Sequence, residues 1–352
     1  MQNRVMLKHI VWPALLLALT ATAQTAASGN SCATQAQMSA LQRSTLMNQA
    51  WTLVGEVQTG NIQGLRDNTL ASVAANFSGI ANSATTLEPK IKEAGITVDA
   101  LYTFENGTAQ KNGGAQFFCS PTGSALTVVL NFSDLPSGQY ALAILHATGV
   151  PDPQQIALIL AKNPTGQWKL AGFFSKPLLL NGHDGVWYWR QARHYAKQKM
   201  DWTAWLYYQI AEYLVEPANF LSSPNREKLL HEEHQAKPQD LPGPLPQMVH
   251  RNGQTFELMR VDTSNRLGPL DFVVYYTPDN TQAAMLRNPT EARKQVVNLM
   301  TAMLEQHPGL REAFHGVWVF AATGNVTHFS LELPMDQIPG GTAASAKAPA
   351  AQ

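Results

Sequence analysis

The chain has 352 residues, and its 25 Lys and Arg balance 25 Asp and Glu, so the formal charge is zero with His neutral. Charged residues make up 14% of the chain and Lys and Arg form no cluster, which argues against the basic patch that nucleic-acid binding needs. The length suffices for two hydrophobic cores, and two cysteines without help from His or carboxylates make no structural zinc site.

The first residues read as a secretory signal. Arg4 and Lys8 form the positive segment, Ile10 to Leu19 the apolar core, and Ala21-Thr22-Ala23 a small-x-small cleavage site. The apolar run is too short for a membrane anchor, and no later segment is long and apolar enough to span a bilayer. The pattern predicts cleavage after Ala23 and a periplasmic or secreted protein, in the style of a bacterial export signal. Gly29-Asn30-Ser31 precede Cys32 and lack the Leu of a lipobox, so lipidation is not expected. In an oxidising compartment Cys32 and Cys119 predict a disulfide, the alternative being two free thiols. Closing so long a loop stabilises by about 4 to 5 kcal/mol in the chain-entropy account.

Gln24 to Ser31 reads as a mobile polar lead. Gln37 to Gln58 is a predicted helix with Leu41, Leu46, Ala50, Leu53, Val54 and Val57 on its apolar side, and Gly60-Asn61 ends it. Ile62 to Phe77 reads as a second helix and Thr86 to Ala94 as a third. Strands follow. Val98, Ala100, Tyr102 and Phe104 alternate with Asp99, Leu101 and Thr103, a period of two. Gln116 to Ser120, Leu126 to Phe132, Tyr140 to Thr148, Gln155 to Lys162 and Gln167 to Ser175 continue the meander, with turn signals at Asn106-Gly107, Pro136-Ser137-Gly138 and Asn163-Pro164-Thr165-Gly166.

Helices followed by a long antiparallel meander predict an α+β domain. With the closing strand Gly166-Gln167-Trp168-Lys169-Leu170-Ala171-Gly172-Phe173-Phe174, the stretch from Gln37 to Lys176 resembles the nuclear-transport-factor-2-like superfamily. The resemblance implies a curved sheet wrapped round a helix and a cone-shaped cavity. The superfamily includes isomerases, dehydratases and non-catalytic binding modules, so the fold alone fixes no function.

Gly182 to Glu233 is the one long helical run between two strand-rich halves. Val186, Trp189, Ala192, Ala196 and Met200 form a helical stripe with Tyr188 and Tyr195 alongside. Asp184 is the predicted cap of this helix, and Asp201 of a second helix that runs to about Val215 and stops at Pro217. A third begins at Ser223-Pro224. Tyr188, Ala192 and Tyr195, followed by Ala204, Tyr208 and Ala211, resemble one tetratricopeptide unit, with Pro217 one residue later than that family's proline. The resemblance covers one repeat of roughly 34 residues, without the neighbours a solenoid needs. It leaves two readings open, a helical hairpin in the core or a peptide-binding surface.

Pro238 to Pro246 reads as a semi-rigid linker. Gln254 to Val261 and Asp271 to Thr277 read as strands. A helix capped by Asn288 runs to Gln306, and Val317 to Ala322 and Val326 to Leu333 form a hairpin, which together predict a small ββαββ domain. The predicted layout is a signal at 1–23, a lead at 24–36, an α+β domain at 37–180, a helical hairpin plus third helix at 181–236, a linker at 237–250, the ββαββ domain at 251–338 and a disordered tail at 339–352.

Chemistry is sparse. His231 and His234 stand at i, i+3 and not at the i, i+4 spacing of the His-Glu-x-x-His zinc motif, so a solvated helix end is the simpler reading. Met300 and Met303, with Met285 nearby, read either as an adaptable binding surface or, by default, as core packing against the two hairpins. No phosphate loop, dinucleotide fingerprint or Gly-x-Ser-x-Gly is present. On the cone, the available polar groups are Asp99, Tyr102, Tyr140 and His146, with Tyr102, Tyr140 and His146 as the candidate binding residues. Asp99 falls on the opposite face of a regular strand from Tyr102. His146 shares a face with Tyr140, Leu142 and Ile144, which reads as a core or rim histidine. On the helical hairpin, Tyr188, Tyr195 and Trp205 are the candidate binding residues. The expected function is binding without catalysis, of a small apolar ligand in the cone or of a protein partner on the hairpin. No cofactor or metal is called for. A cone-pocket isomerase or hydrolase is the competing class, and a structural envelope component the third.

Overall fold

The computed structural model describes residues 30–107, 114–121 and 127–340. Residues 1–29, with the predicted signal at 1–23, and the residues beyond Gly340 lie outside the described residues. No helix among those described is long and apolar enough to cross a membrane.

The first described element is a strand, β1 (Asn30–Thr34), where the sequence reads a mobile lead at 24–36. Its short polar stretch carries no strand signal of its own. It is held because it lies between β2 (Gly95–Asn106) and β3 (Ala115–Cys119), antiparallel to the first and parallel to the second. Asn30 pairs with Phe117 and Ser31 with Phe118, and one more step of that register sets Cys32 opposite Cys119. The two cysteines form a disulfide with Cα atoms 4.9 Å apart.

Helix α1 (Ala40–Gln58) is capped by Ser39, whose Oγ accepts from Gln42 N, and it buries Leu46, Ala50, Leu53, Val54 and Val57. The helix read over Ile62 to Phe77 is instead two short ones, α2 (Ile62–Asp67) and α3 (Ala71–Ala74). The break has a specific cause. Leu170 N donates to Asn68 O and Leu70 N donates to Leu170 O, both at 2.8 Å, so these backbone groups pair with a strand and not with a helix. Helix α4 (Ser78–Ile91) begins earlier than the sequence reads it and tolerates Pro89 inside.

The strands β4 (Val128–Phe132), β5 (Gly138–Thr148), β6 (Gln154–Lys162) and β7 (Trp168–Pro177) complete most of a mixed sheet with the order β7-β6-β5-β2-β1-β3-β4-β8, where β8 is the two-residue strand Leu221–Ser222. Alternation puts Ala141, Ala143, Leu145 and Ala147 on one face, against α1 and α4. The opposite face carries Phe104, Tyr140, Leu142, Ala157 and Ile159, packed with Phe117 and Leu130 from β3 and β4. Both faces of the sheet thus carry buried apolar side chains.

Helices α5 (Gly185–Lys197), α6 (Asp201–Val215) and α7 (Pro224–Ala236) follow. Asp184 caps α5 by accepting from Trp187 N at 2.7 Å, and Ser223 caps α7. The cap read at Asp201 is displaced: Met200 holds the N-cap position of α6, without a side-chain bond, and Asp201 is the first helical residue. The buried stripe of α5 is also displaced, to Gly185, Tyr188 and Ala192, with Val186 exposed. A Cβ at Gly185 would lie 2.8 Å from Val215 Cγ1, so the glycine sets how closely α5 approaches α6.

The last part is a five-stranded sheet ordered β13-β12-β11-β10-β9. Its strands are β9 (Gln247–Arg251), β10 (Gln254–Ser264), β11 (Asp271–Thr277), β12 (Gly316–Thr323) and β13 (Val326–Pro334). Helices α8 (Asn280–Met285), α9 (Pro289–Gln306) and α10 (Leu310–Ala313) cross over between the parallel pair β11 and β12. The linker read at 237–250 therefore contains a strand, β9, which extends the expected four strands to five. The proline stretch also divides no core. One hydrophobic cluster runs from Tyr188 and Leu206 of the helices to Phe272, Met300 and Val317 of the last part.

Candidate functional site

A cavity of about 350 Å³ opens where the end of β7 meets the C-terminal turn of α6 and the first turn of α7. That volume lies near the lower end of the range for small-molecule sites, about 300 to 1,000 Å³. Lys176 contributes from β7, Glu212, Tyr213 and Glu216 from α6 and its cap, Asn219 from the loop, and Arg226 from α7.

Local structure brings these groups together. Glu212 and Glu216 are one helical turn apart, so both face the same side of α6. Pro217 forces the chain to leave the helix there, and Glu216 is the extended C-cap. Ser223 and Pro224 then start α7 and aim Arg226 back at both acids. Arg226 Nη2 donates to Glu212 Oε1 at 2.7 Å. Its Nε stands 3.2 Å from Glu216 Oε2 but off the line of a hydrogen bond, so that buried oxygen has no donor. Lys176 Nζ donates to Asn219 Oδ1 at 3.1 Å and sits 5.2 Å above the Tyr213 ring.

Burial dominates the electrostatics. The Glu216 carboxyl is pushed up to about 7, because desolvation outweighs the attraction of Arg226 and Lys176. Its place at the negative end of α6 acts in the same sense. Burial lowers Lys176 while Glu216 and Glu212 pull it back up. Nearby, burial and then Glu212 raise Glu233, which accepts from Gln209. A carboxyl that is half protonated near neutrality can accept a hydrogen bond from a ligand or donate one to it, with two cations within reach.

The residues singled out in the sequence lie elsewhere or beside this cavity. Tyr102 and Tyr140 belong to the packed outer face of the large sheet. Tyr140 is buried, stacks on Phe104, and donates to Pro136 O at 2.8 Å. Burial and then Asp99 raise Tyr102. That proximity corrects the regular-strand argument, because the pairing slips between Val98 and Ala100 and leaves Asp99 in a bulge. His146 lies on a sheet row that leads to the cavity. The register runs Thr97, His146, Gln155, Lys176 across four strands, which puts His146 two strands, about 10 Å, from Lys176. Gln155 between them is buried, and its Nε2 donates to Leu214 O at 2.7 Å, tying the sheet to α6.

Tyr188, Tyr195 and Trp205 form no open groove. Tyr188 is 2% exposed and donates to Leu180 O, Tyr195 packs edge-on against Tyr207, and Trp205 is half-buried. Burial raises Tyr188 and Tyr207 far above the usual phenol range. His231 and His234 are exposed on α7, whereas Glu232 between them is a structural node. It accepts from Trp189 Nε1, from Arg193 Nε and Nη2, and from Tyr208 OH. Burial raises its carboxyl, but the bonds from Arg193 and Trp189 outweigh that and hold it below the usual range.

One further cluster has metal-ligand chemistry. Asp271, His315 and Glu332 each offer a donor atom, and the three lie within 4.8 Å of one another. His315 Nδ1 stands 3.3 Å from Asp271 Oδ1. Burial raises both carboxyls, opposed at Asp271 by His315 and reinforced at Glu332 by Asp271.

No protein-family model matches this chain, and neither does any curated protein or solved structure.

Proposed function

We propose that this chain is an exported binding protein whose ligand occupies the cavity between β7, α6 and α7. The observation that carries the reading is Glu216, a buried carboxyl with an oxygen that lacks a donor, set at a cavity beside Arg226 and Lys176. That oxygen has the ion pair with Arg226 but no aligned donor. A buried acceptor short of a hydrogen bond is costly, and a ligand N–H would supply one. The ligand class is therefore small and polar with an amine or amide N–H for Glu216, and an acidic group beside that N–H would meet Lys176. This reading replaces the expected apolar ligand in the cone with a polar one at another place, because Tyr102 and Tyr140 are part of the side-chain packing on the sheet.

Export rests on the reading of Arg4 to Ala23, and the Cys32–Cys119 bond fits an oxidising compartment. Membership of residues 37–180 in the nuclear-transport-factor-2-like superfamily rests on the order of helices before sheet, and the tetratricopeptide likeness on the α5–α6 pair. The enzyme reading has one observation in its favour, a carboxyl near 7 suited to proton transfer.

The test is thermal unfolding of the full exported chain against the amino acids and simple primary amines. At least one should raise the midpoint in the natural protein, and Glu216→Gln and Arg226→Ala should abolish the shift. No shift from any compound, or a shift that survives in both variants, overturns the proposal. Mass spectrometry of the bound compound after incubation separates binding from catalysis, since an enzyme alters it.

A further inference from the structure

We propose that Asp271, His315 and Glu332 form a binding site for a first-row divalent cation, Zn²⁺ or Mn²⁺. Strands β11, β12 and β13 bring the three groups together. Phe272 and Val274 face α9, so Asp271 points to the other side of the sheet, as do Gly316 on β12 and Glu332 on β13. The register Phe272 to Val317 sets Asp271 beside Gly316, and Trp318 to Glu332 sets the second carboxylate one row on. The His315 backbone is pinned between the strand ends, its N–H donating to Leu270 O and its C=O accepting from Met335 N, both at 2.9 Å.

Two features of the packing point to an ion. Glu332 Oε1 is buried and has no hydrogen-bond donor. In addition, the space where the two acids converge exists only because residue 316 is glycine. A Cβ there would lie 2.5 Å from Glu332 Oε1 and 3.0 Å from Asp271 Oδ1. Asp271 is 1% exposed, so its charge is shielded from water, whereas the His315 side chain is 46% exposed and leaves the site an entrance. Two carboxylates and a neutral imidazole carry the charge that one divalent cation neutralises. Nitrogen with two oxygens suits Zn²⁺ or Mn²⁺ better than Ca²⁺, which takes six or more oxygens. Three protein ligands leave positions for water or a substrate, the pattern of an open metal site.

The full chain with its disulfide intact is stripped with a chelator, desalted, and titrated calorimetrically with ZnCl₂ and with MnCl₂ near neutral pH. At least one ion should bind at one per chain, and His315→Ala and Glu332→Gln should each weaken it by more than about tenfold. His315 and Glu332 are chosen over the buried Asp271 so that the variants fold, which circular dichroism checks. The double variant His231→Ala, His234→Ala should bind as the natural protein does. No binding of either ion, or binding unchanged in both His315→Ala and Glu332→Gln, overturns the assignment.

Discussion

Replacing Glu216 by Gln isolates the largest electrostatic penalty at the cavity. The folded chain holds this proton more tightly than the unfolded chain, since its carboxyl moves from 4.5 to about 7 on folding. Its contribution to stability is therefore full below about pH 4.5 and is lost as pH rises toward 7. At about 1.4 kcal/mol per unit, ionisation costs roughly 3 kcal/mol in all, of which about 2 to 3 falls between pH 5 and pH 8. The Gln variant has no charge to desolvate and escapes that loss. Urea denaturation of both proteins at the two pH values, followed by Trp fluorescence, gives the difference directly. Glu233, Asp271 and Glu332 titrate alike in both proteins, so their contributions cancel. Glu216→Gln should gain on the natural protein as pH rises. A stability difference that stays flat from pH 5 to pH 8 would refute the reasoning, because Glu216 would then be ionised without penalty.

Reducing the Cys32–Cys119 bond, or replacing both residues by Ser, should lower stability by about 4 to 5 kcal/mol, since the bond closes a loop of 87 residues. Denaturation with and without reductant measures it, and a change under about 1 kcal/mol would contradict the loop-closure argument. Gly185→Ala places a Cβ 2.8 Å from Val215 Cγ1 and 3.0 Å from Val215 N, so it should cost about 1 to 3 kcal/mol by forcing α5 and α6 apart. Glu232→Gln loses the charge-assisted bonds from Arg193 and should cost about 1.5 to 3 kcal/mol, read from the denaturation midpoint.

Much of the architecture was legible because it rests on local signals. Alternation and turn signals located most strands of the large sheet, although it is mixed and not the antiparallel meander expected, because β1 inserts between β2 and β3. Asp184, Ser223 and Asn288 announced their helices, and the cysteine pair announced its bond. The failures are places where partners distant in sequence decide. Asn30 to Thr34 is a strand because β2 and β3 flank it, and the helix after Ile62 breaks because Leu170 takes its backbone bonds. The candidate site failed for the same reason. Lys176, Glu216 and Arg226 come from three elements, and the i, i+4 spacing of Glu212 and Glu216 before a proline was the single local trace. Asp271, His315 and Glu332 meet only through a parallel crossover followed by a hairpin, which no spacing in the sequence encodes.

The cavity's position gives Glu216 leverage beyond its own desolvation. Leu214, just before it, is buried in the core shared by the helices and the five-stranded sheet. Ala218 and Leu221, just after it, are buried in the core on the outer face of the large sheet. The chain therefore passes from one core to the other through Glu216 and Pro217, and Gln155 bonds across the same joint to Leu214 O. The charge of Glu216 thus sits at that joint, between the two cores. On the binding reading proposed above, a ligand that gives the carboxylate a donor should stabilise the attachment of one half to the other, so the natural protein should become more cooperative in unfolding when it binds. Glu216→Gln should show that cooperativity without ligand at pH 8, because its amide needs no charge compensation there.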